Sequence, residues 1–143
     1  MAPDPATVQA LGATDLFSKL SRRSLATVAA GARTIKHPAG QQLVTEGEEG
    51  VGFHLIVEGT VSVVVGGKPR AQLGPGQYFG EISMIDGGPR SATITTETAV
   101  TMIYLSVWNF RPILEAEPEV ARVLLSVRCA RRRAAEKRAP EPV

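Results

Sequence analysis

Cysteine is nearly absent. Cys129 stands alone, so the chain can form no internal disulfide framework and fits a reducing compartment. Histidine is almost as scarce: His37 and His54 with a single cysteine fall short of a conventional structural zinc site. No stretch approaches the ~18 uninterrupted apolar residues of a membrane span. The opening MAPDPATVQALG lacks the basic start and apolar run of a secretory signal. Charge of one sign is missing too, since 16 Lys+Arg stand against 14 Asp+Glu, a formal +2. The chain as a whole is therefore not a polycation. What remains is ordinary: 143 residues, 43% hydrophobic and 21% charged, the size and composition of one globular domain that buries a core without staples. These features predict a soluble, cytoplasmic, single-domain protein.

Residues 1–14, with Pro3 and Pro5, read as a loose, flexible tail that turns helical only near its end. Leu16, Phe17, Leu20, Leu25, Val28 and Ala29 then recur at three- and four-residue spacings, which predicts short amphipathic helices capped by Thr14 or Asp15 and by Ser21, with a stop at Gly31. The middle of the chain changes period. Ile35, Leu43-Val44, Phe53–Val57, Thr60–Val65, Arg70–Leu73, Ala92–Thr96 and Thr101–Leu105 are short β-branched or aromatic runs separated by Gly/Pro clusters. Gly74–Ser91 holds too much glycine and proline for one regular element. Helical character returns at Ser106, with Trp108, Phe110, Ile113 and Leu114 read as one apolar stripe. A new helix starts at Pro118, where Glu119 suits the helix dipole and Val120, Val123, Leu124 and Val127 line one face. The order predicts an α+β fold: an antiparallel, jelly-roll-like β-roll over about 34–105, N-terminal helices, two C-terminal helices over about 106–138 and a disordered end at 139–143.

The stretch Phe79-Gly80-Glu81-Ile82-Ser83-Met84-Ile85-Asp86-Gly87-Gly88-Pro89-Arg90-Ser91-Ala92-Thr93 carries the chemistry. Gly80 lets a backbone approach a ligand closely. Ile82–Ile85 has the length of one helical turn, whose first amides, that of Ser83 among them, point outward at an anion. Arg90 offers a planar fork of donors suited to a phosphate. Ser91 adds a hydroxyl, and the following amides add donors. Glu81 accepts only, so it suits a sugar hydroxyl. A ligand with one phosphate anion and one sugar hydroxyl satisfies the set. The competing reading is a turn in which Glu81 and Arg90 pair only with each other.

FGEISMIDGGPRSAT resembles the phosphate-binding cassette of the cyclic nucleotide-binding domain family, which includes the catabolite activator, protein kinase A regulatory subunits and cyclic-nucleotide-gated channels. Gly40, the Glu46-Gly47-Glu48 turn, Leu55-Ile56, Glu58-Gly59, Val61, Val63 and Leu73-Gly74-Pro75-Gly76 fall where that family has its roll glycines and strands, so the resemblance spans about residues 15–138. It implies that Glu81 accepts from the ribose 2′-hydroxyl and that Arg90 pairs with the cyclic phosphate. The amides of Gly80, Ile82 and Ala92 and the Ser91 hydroxyl complete the cradle, and Val63 with Val61 or Leu73 packs on sugar or base. In the family a threonine at the position of Ser91 favours cGMP, whereas serine is common in bacterial cAMP binders. The ligand expected is cAMP, with cGMP the alternative; no cofactor is expected.

The resemblance extends to the last helix, which in this family folds over the base. Pro118-Glu119-Val120-Ala121 is similar to its start in bacterial potassium channels, and that register puts Arg131, with Arg132 beside it, on the base, where a guanidinium can stack. The alternative is a solvated basic face on a fraying end. Seven basic residues in 120–143 (Arg122, Arg128, Arg131, Arg132, Arg133, Lys137, Arg138) could make a phosphate patch, but no helix-turn-helix pattern follows, so nucleic acid is not the expected partner. A cupin-like metalloenzyme fails on its ligands: His37 and His54 lack the usual His-x-His and Glu companions. The expectation is a non-catalytic sensor module acting on a protein partner not identified by sequence.

Overall fold

The computed structural model describes residues 3–48, 52–80 and 92–126. Eight strands follow one another: β1 (Arg33–His37), β2 (Gln42–Val44), β3 (Gly52–Glu58), β4 (Val61–Val65), β5 (Lys68–Leu73), β6 (Tyr78–Phe79), β7 (Thr93–Thr96) and β8 (Val100–Ser106). They form two four-stranded antiparallel sheets, ordered β1-β8-β3-β6 and β2-β7-β4-β5. This is the β-roll expected from the spacing of the short runs.

The first sheet has apolar neighbours on both faces, and the alternation of side chains along a strand explains how. Phe53 and Leu55 on β3 join Ile103 and Leu105 on β8 in a core shared with the helices. Ile56 and Met102 point the other way, into a second core with Val44, Val61 and Ile94 of the opposing sheet. Burial on both sides is why Gly52–Ile56 is buried without interruption.

Helices cover the outer face of that sheet. They are α1 (Pro5–Gly12), α2 (Arg22–Ala30), α3 (Val107–Ala116) and α4, helical over residues 118–126. α1 lies in the stretch expected to be a loose tail. Asp4 caps it by accepting from the Ala6 amide, Pro5 sits in its first turn, and Leu11 is fully buried. Leu16 and Phe17 are buried as expected, but on a turn over residues 15–19, and Leu20 just after it, none of them on a helix; Thr14 Oγ1 accepts from the Phe17 amide at the start of the turn. Ser21 caps α2 as expected, accepting from the Ser24 amide.

The stripe expected on α3 needs correction. Phe110 and Ile113 are buried, whereas Trp108 is 68% exposed. At 3.6 residues per turn, positions two apart lie on nearly opposite sides, so Trp108 and Phe110 cannot share a face. On α4, Val120 and Leu124 are buried in the helix-side core and Val123 packs against it. Val127, the expected continuation of the helix to 138 and the end at 139–143 lie outside the described residues. Edge-to-face contacts run through this core from Phe53 to Phe17 (5.6 Å) and from Phe17 to Phe110 (6.4 Å), tying β3, the 15–19 turn and α3 together.

Candidate functional site

The two ends of the phosphate-cassette motif are held by different sheets. Upstream, β6 pairs with β3 through Leu55↔Tyr78 and His54↔Phe79. This short strand lies inside the stretch expected to be irregular. Gly80 follows it at φ +92°, a backbone angle that side chains rarely tolerate. Downstream, Ala92 leads into β7, which pairs with both β2 and β4. The segment between Gly80 and Ala92 therefore has one end on each sheet of the roll. Glu81, Ile82, Ser83, Arg90 and Ser91, with the helical turn expected at Ile82–Ile85, lie outside the described residues, as do Arg131 and Arg132.

Each end is braced. The Phe79 ring stacks on the His54 imidazole at 4.6 Å and 12°. The Tyr78 ring packs against Phe53 at 5.3 Å, and its hydroxyl donates to Asp15 on the 15–19 turn. At the other end, Thr93 Oγ1 accepts from the Glu46 amide (3.1 Å), and the Glu46 carboxylate accepts from the Gly66 amide at the tip of the β4–β5 hairpin (2.9 Å). The expected Glu46-Gly47-Glu48 turn thus ties the start of β7 to that hairpin.

Val63 and Leu73 lie on neighbouring strands of the β4–β5 hairpin. Val61 pairs with Leu73 and Val63 with Ala71, which makes Val63 and Leu73 diagonal neighbours on one face of the hairpin. Both are half-buried and pack against the inter-sheet core, and Val63 pairs with Ile94 of β7, two residues past Ala92. Gly80 and Ala92 are likewise half-buried. Val61 is fully buried and belongs to the core.

A cleft of about 410 Å³ opens elsewhere, between β1 and β2, with Arg33, Ile35, His37, Val44, His54 and Tyr104 among its walls. The Arg33 guanidinium lies 5.7 Å from the Tyr104 ring centre. Val63, Leu73, Gly80 and Ala92 take no part in it. Among the described residues, no three His, Cys, Asp or Glu side chains gather in an arrangement that could hold a metal ion, and no helix is long and apolar enough to cross a membrane.

One polar cluster has no counterpart in the sequence pattern. Glu119, expected only to suit the dipole of its own helix, sends its carboxylate to the start of α2. Oε1 accepts from the Ser21 amide (2.8 Å), and Oε2 from Ser21 Oγ (3.0 Å) and Ser24 Oγ (2.7 Å). The bonds from Ser24, then from the Ser21 amide and hydroxyl, hold this carboxyl below its ordinary range, with Arg122 adding a smaller electrostatic contribution. A contact across almost a hundred residues leaves no local spacing to find; the only signal was an N-cap serine and an acidic first turn in separate places.

Comparison with known proteins places these features. The family model for the cyclic nucleotide-binding domain matches residues 34–117. A cyclic nucleotide-gated potassium channel of Mesorhizobium japonicum is 35% identical over 127 residues, which is 89% of this chain and 35% of the channel. A cAMP-dependent protein kinase regulatory subunit of Emericella nidulans is 33% identical over 101 residues, covering 69% of this chain and 24% of the subunit. The chain thus spans about a third or less of the length of these curated relatives. Among solved structures, the N-terminal domain of a transcriptional regulator from Streptomyces coelicolor A3(2) superposes with a TM-score of 0.77 at 30% identity, over 90% of this chain and 93% of that one.

Proposed function

This chain belongs to the cyclic nucleotide-binding domain family, and we propose that it is a non-catalytic, cytoplasmic sensor module whose ligand is cAMP. The observation that carries the reading is the uninterrupted FGE…PRSAT motif, whose upstream end follows β6 on one sheet and whose downstream end leads into β7 on the other, the strand that pairs with the hairpin strand holding Val63. In this reading the Arg90 guanidinium binds the cyclic phosphate through charge-assisted hydrogen bonds. Glu81 accepts from the ribose 2′-hydroxyl. The amides of Gly80, Ile82, Ser83 and Ala92 and the Ser91 hydroxyl surround the phosphate, while Val63 and Leu73 cover sugar and base.

The last helix supplies the response. Its seated start at Val120 and Leu124 continues toward Arg131 and Arg132, one of which stacks on the base and so favours a closed position of the helix. The output passes to a protein partner. Serine at position 91 underlies the choice of cAMP over cGMP.

Calorimetric titration with cAMP tests the reading. The parent chain binds; Arg90→Ala loses roughly 2–5 kcal/mol of affinity, because a desolvated phosphate is left without its counter-charge. Glu81→Ala binds more weakly and discriminates less between cAMP and its 2′-deoxy analogue. An Arg90→Ala protein that binds as tightly as the parent sinks the assignment.

A further inference from the structure

We propose that the cleft between β1 and β2 is a second ligand site, separate from the phosphate-cassette motif, and that it takes a planar aromatic carboxylate.

The cleft lies where two sheet edges stand next to each other. β1 is the outermost strand of one sheet and pairs with β8; β2 is the outermost strand of the other and pairs with β7. The connection over residues 38–41 joins the two edges, and a space of about 410 Å³ opens between them. That volume falls in the range of small-molecule sites.

Strand alternation orders the walls. Arg33, Ile35 and His37 are two residues apart on β1 and so lie on one face. Direct pairing carries that face across the whole sheet: Arg33 stands opposite Tyr104, Tyr104 opposite His54, and His54 opposite Phe79. The rings along this row touch. His54 stacks on Phe79 at 4.6 Å, the His54 and Tyr104 ring centres are 4.9 Å apart, and the Arg33 guanidinium is 5.7 Å from the Tyr104 ring centre. Arg33, Tyr104 and His54 line the cleft from this side, and Leu43 and Val44 of β2 give it an aliphatic wall. Aromatic rings facing branched apolar side chains suit a flat apolar body.

The charges at the cleft select the substituent on that body. Arg33 is exposed, and among the described residues no carboxylate pairs with it. Its planar fork of donors matches a carboxylate. His37, on the same face of β1, adds a ring nitrogen. Glu48 is the opposing charge: its exposed carboxylate also lines the cleft and repels an anion there. Arg33 and Glu48 therefore act on a bound carboxylate with opposite signs, which fixes the direction of each substitution.

The test is a titration of the isotope-labelled full chain with 2-naphthoate, read by nuclear magnetic resonance. Saturable shifts are expected at residues 33–37, 43–45, 54 and 104, with a dissociation constant on the order of 1 mM for a ligand of about a dozen heavy atoms. Arg33→Gln is expected to weaken binding about threefold to fivefold and Glu48→Gln to tighten it up to about twofold, the size of single charge contacts at a solvent-facing site. The neutral 2-naphthylmethanol binds more weakly than the acid, and 2-naphthylmethylammonium more weakly still. Where Arg33→Gln fails to fold, Glu48→Gln and the three probes decide the sign by themselves. Shifts centred on Val63, Leu73, Gly80 and Ala92 put the probe at the cassette and overturn the proposal. So do the absence of saturable shifts, an Arg33→Gln protein that binds as tightly as the parent, and a preference for the ammonium probe.

Discussion

Replacing Gly59 by alanine tests whether the turn joining the two sheets is set by its backbone. Gly59 links β3 to β4 and sits at φ +90°. A Cβ there comes within 2.3 Å of the Ala99 carbonyl oxygen, 2.7 Å of Val100 Cγ1 and 2.8 Å of Thr98 Oγ1. The nearest of these is backbone and cannot rotate away. It also belongs to a crossing that is itself hydrogen-bonded, where the Thr60 amide donates to Thr98 Oγ1 (3.0 Å) and the Glu97 amide to the Thr60 carbonyl (2.9 Å). The left-handed conformation costs about 1–2 kcal/mol for a residue with a Cβ, and forcing a methyl into filled space costs about 1–3 kcal/mol more. Gly59→Ala is therefore expected to lose roughly 2–5 kcal/mol, a large part of the ~5–15 kcal/mol that holds a domain folded. At about 2–4 °C per kcal/mol for a chain near this size, Tm falls by roughly 4–20 °C. Gly31→Ala is the matched control. Gly31 caps α2 at φ −88°, and an added Cβ makes ordinary contact with Ile113 and Leu105 at 3.5 Å. That substitution is expected to be neutral or to add about 0.4–1 kcal/mol by restricting the unfolded chain. Urea and thermal denaturation of both variants decide the matter. A Gly59→Ala protein within about 0.5 kcal/mol of the parent, or two variants that shift in the same direction, refutes the reasoning.

Three further outcomes are expected. The Glu119 carboxyl titrates below its ordinary value of 4.5 in the folded chain; a depressed carboxyl contributes stability above its unfolded pKa and loses it as pH falls through the folded one. The Tm gap between parent and Glu119→Gln is therefore constant near neutrality and closes as pH drops below 4.5; a gap that persists under more acidic conditions would falsify the charge-based account. Ser91→Ala weakens cAMP and cGMP alike if the hydroxyl serves the phosphate, as competition titration on parent and variant can read; a loss confined to cGMP reverses the stated preference. Saturating cAMP slows hydrogen exchange over residues 120–135, and Arg131→Ala reduces that protection more than Arg138→Ala does; equal exchange with and without cAMP removes the last helix from the response.

Much of the roll was legible because strand patterning is local. The run Phe53–Val57 is apolar at nearly every position, and the turns on either side of it are marked plainly, by Gly47 between Glu46 and Glu48 and by Gly59 after Glu58. Ser21 was likewise legible as a cap, because capping needs only a hydroxyl and the amide three residues on. What was not legible was set by distant parts of the chain. α1 forms where the composition suggests a tail, because Leu11 finds a core built by β3, β8 and α3. β6 is only two residues long and exists through its pairing with β3. Trp108 looked like core by residue type, and only the helix phase puts it outside. The cassette was readable as a motif, and the sheets that hold its ends became visible only with the pairing of β6 and β7.

The two-faced sheet β1-β8-β3-β6 bears on how such a domain can change over generations. Neighbours in sequence serve different masters: Phe53 and Leu55 answer to the helices, while Ile56, one position on, answers to the opposing sheet. Because pleating sends alternate side chains to opposite faces, a change of size in one register is compensated within its own compartment. Drift in the helix-facing set can therefore reseat the helices without disturbing the inter-sheet core against which Val63 and Leu73 pack. Drift in the inward set can repack that core while the helices stay docked. Two neighbouring strands of seven residues each, β3 and β8, insulate the two lines of descent from each other.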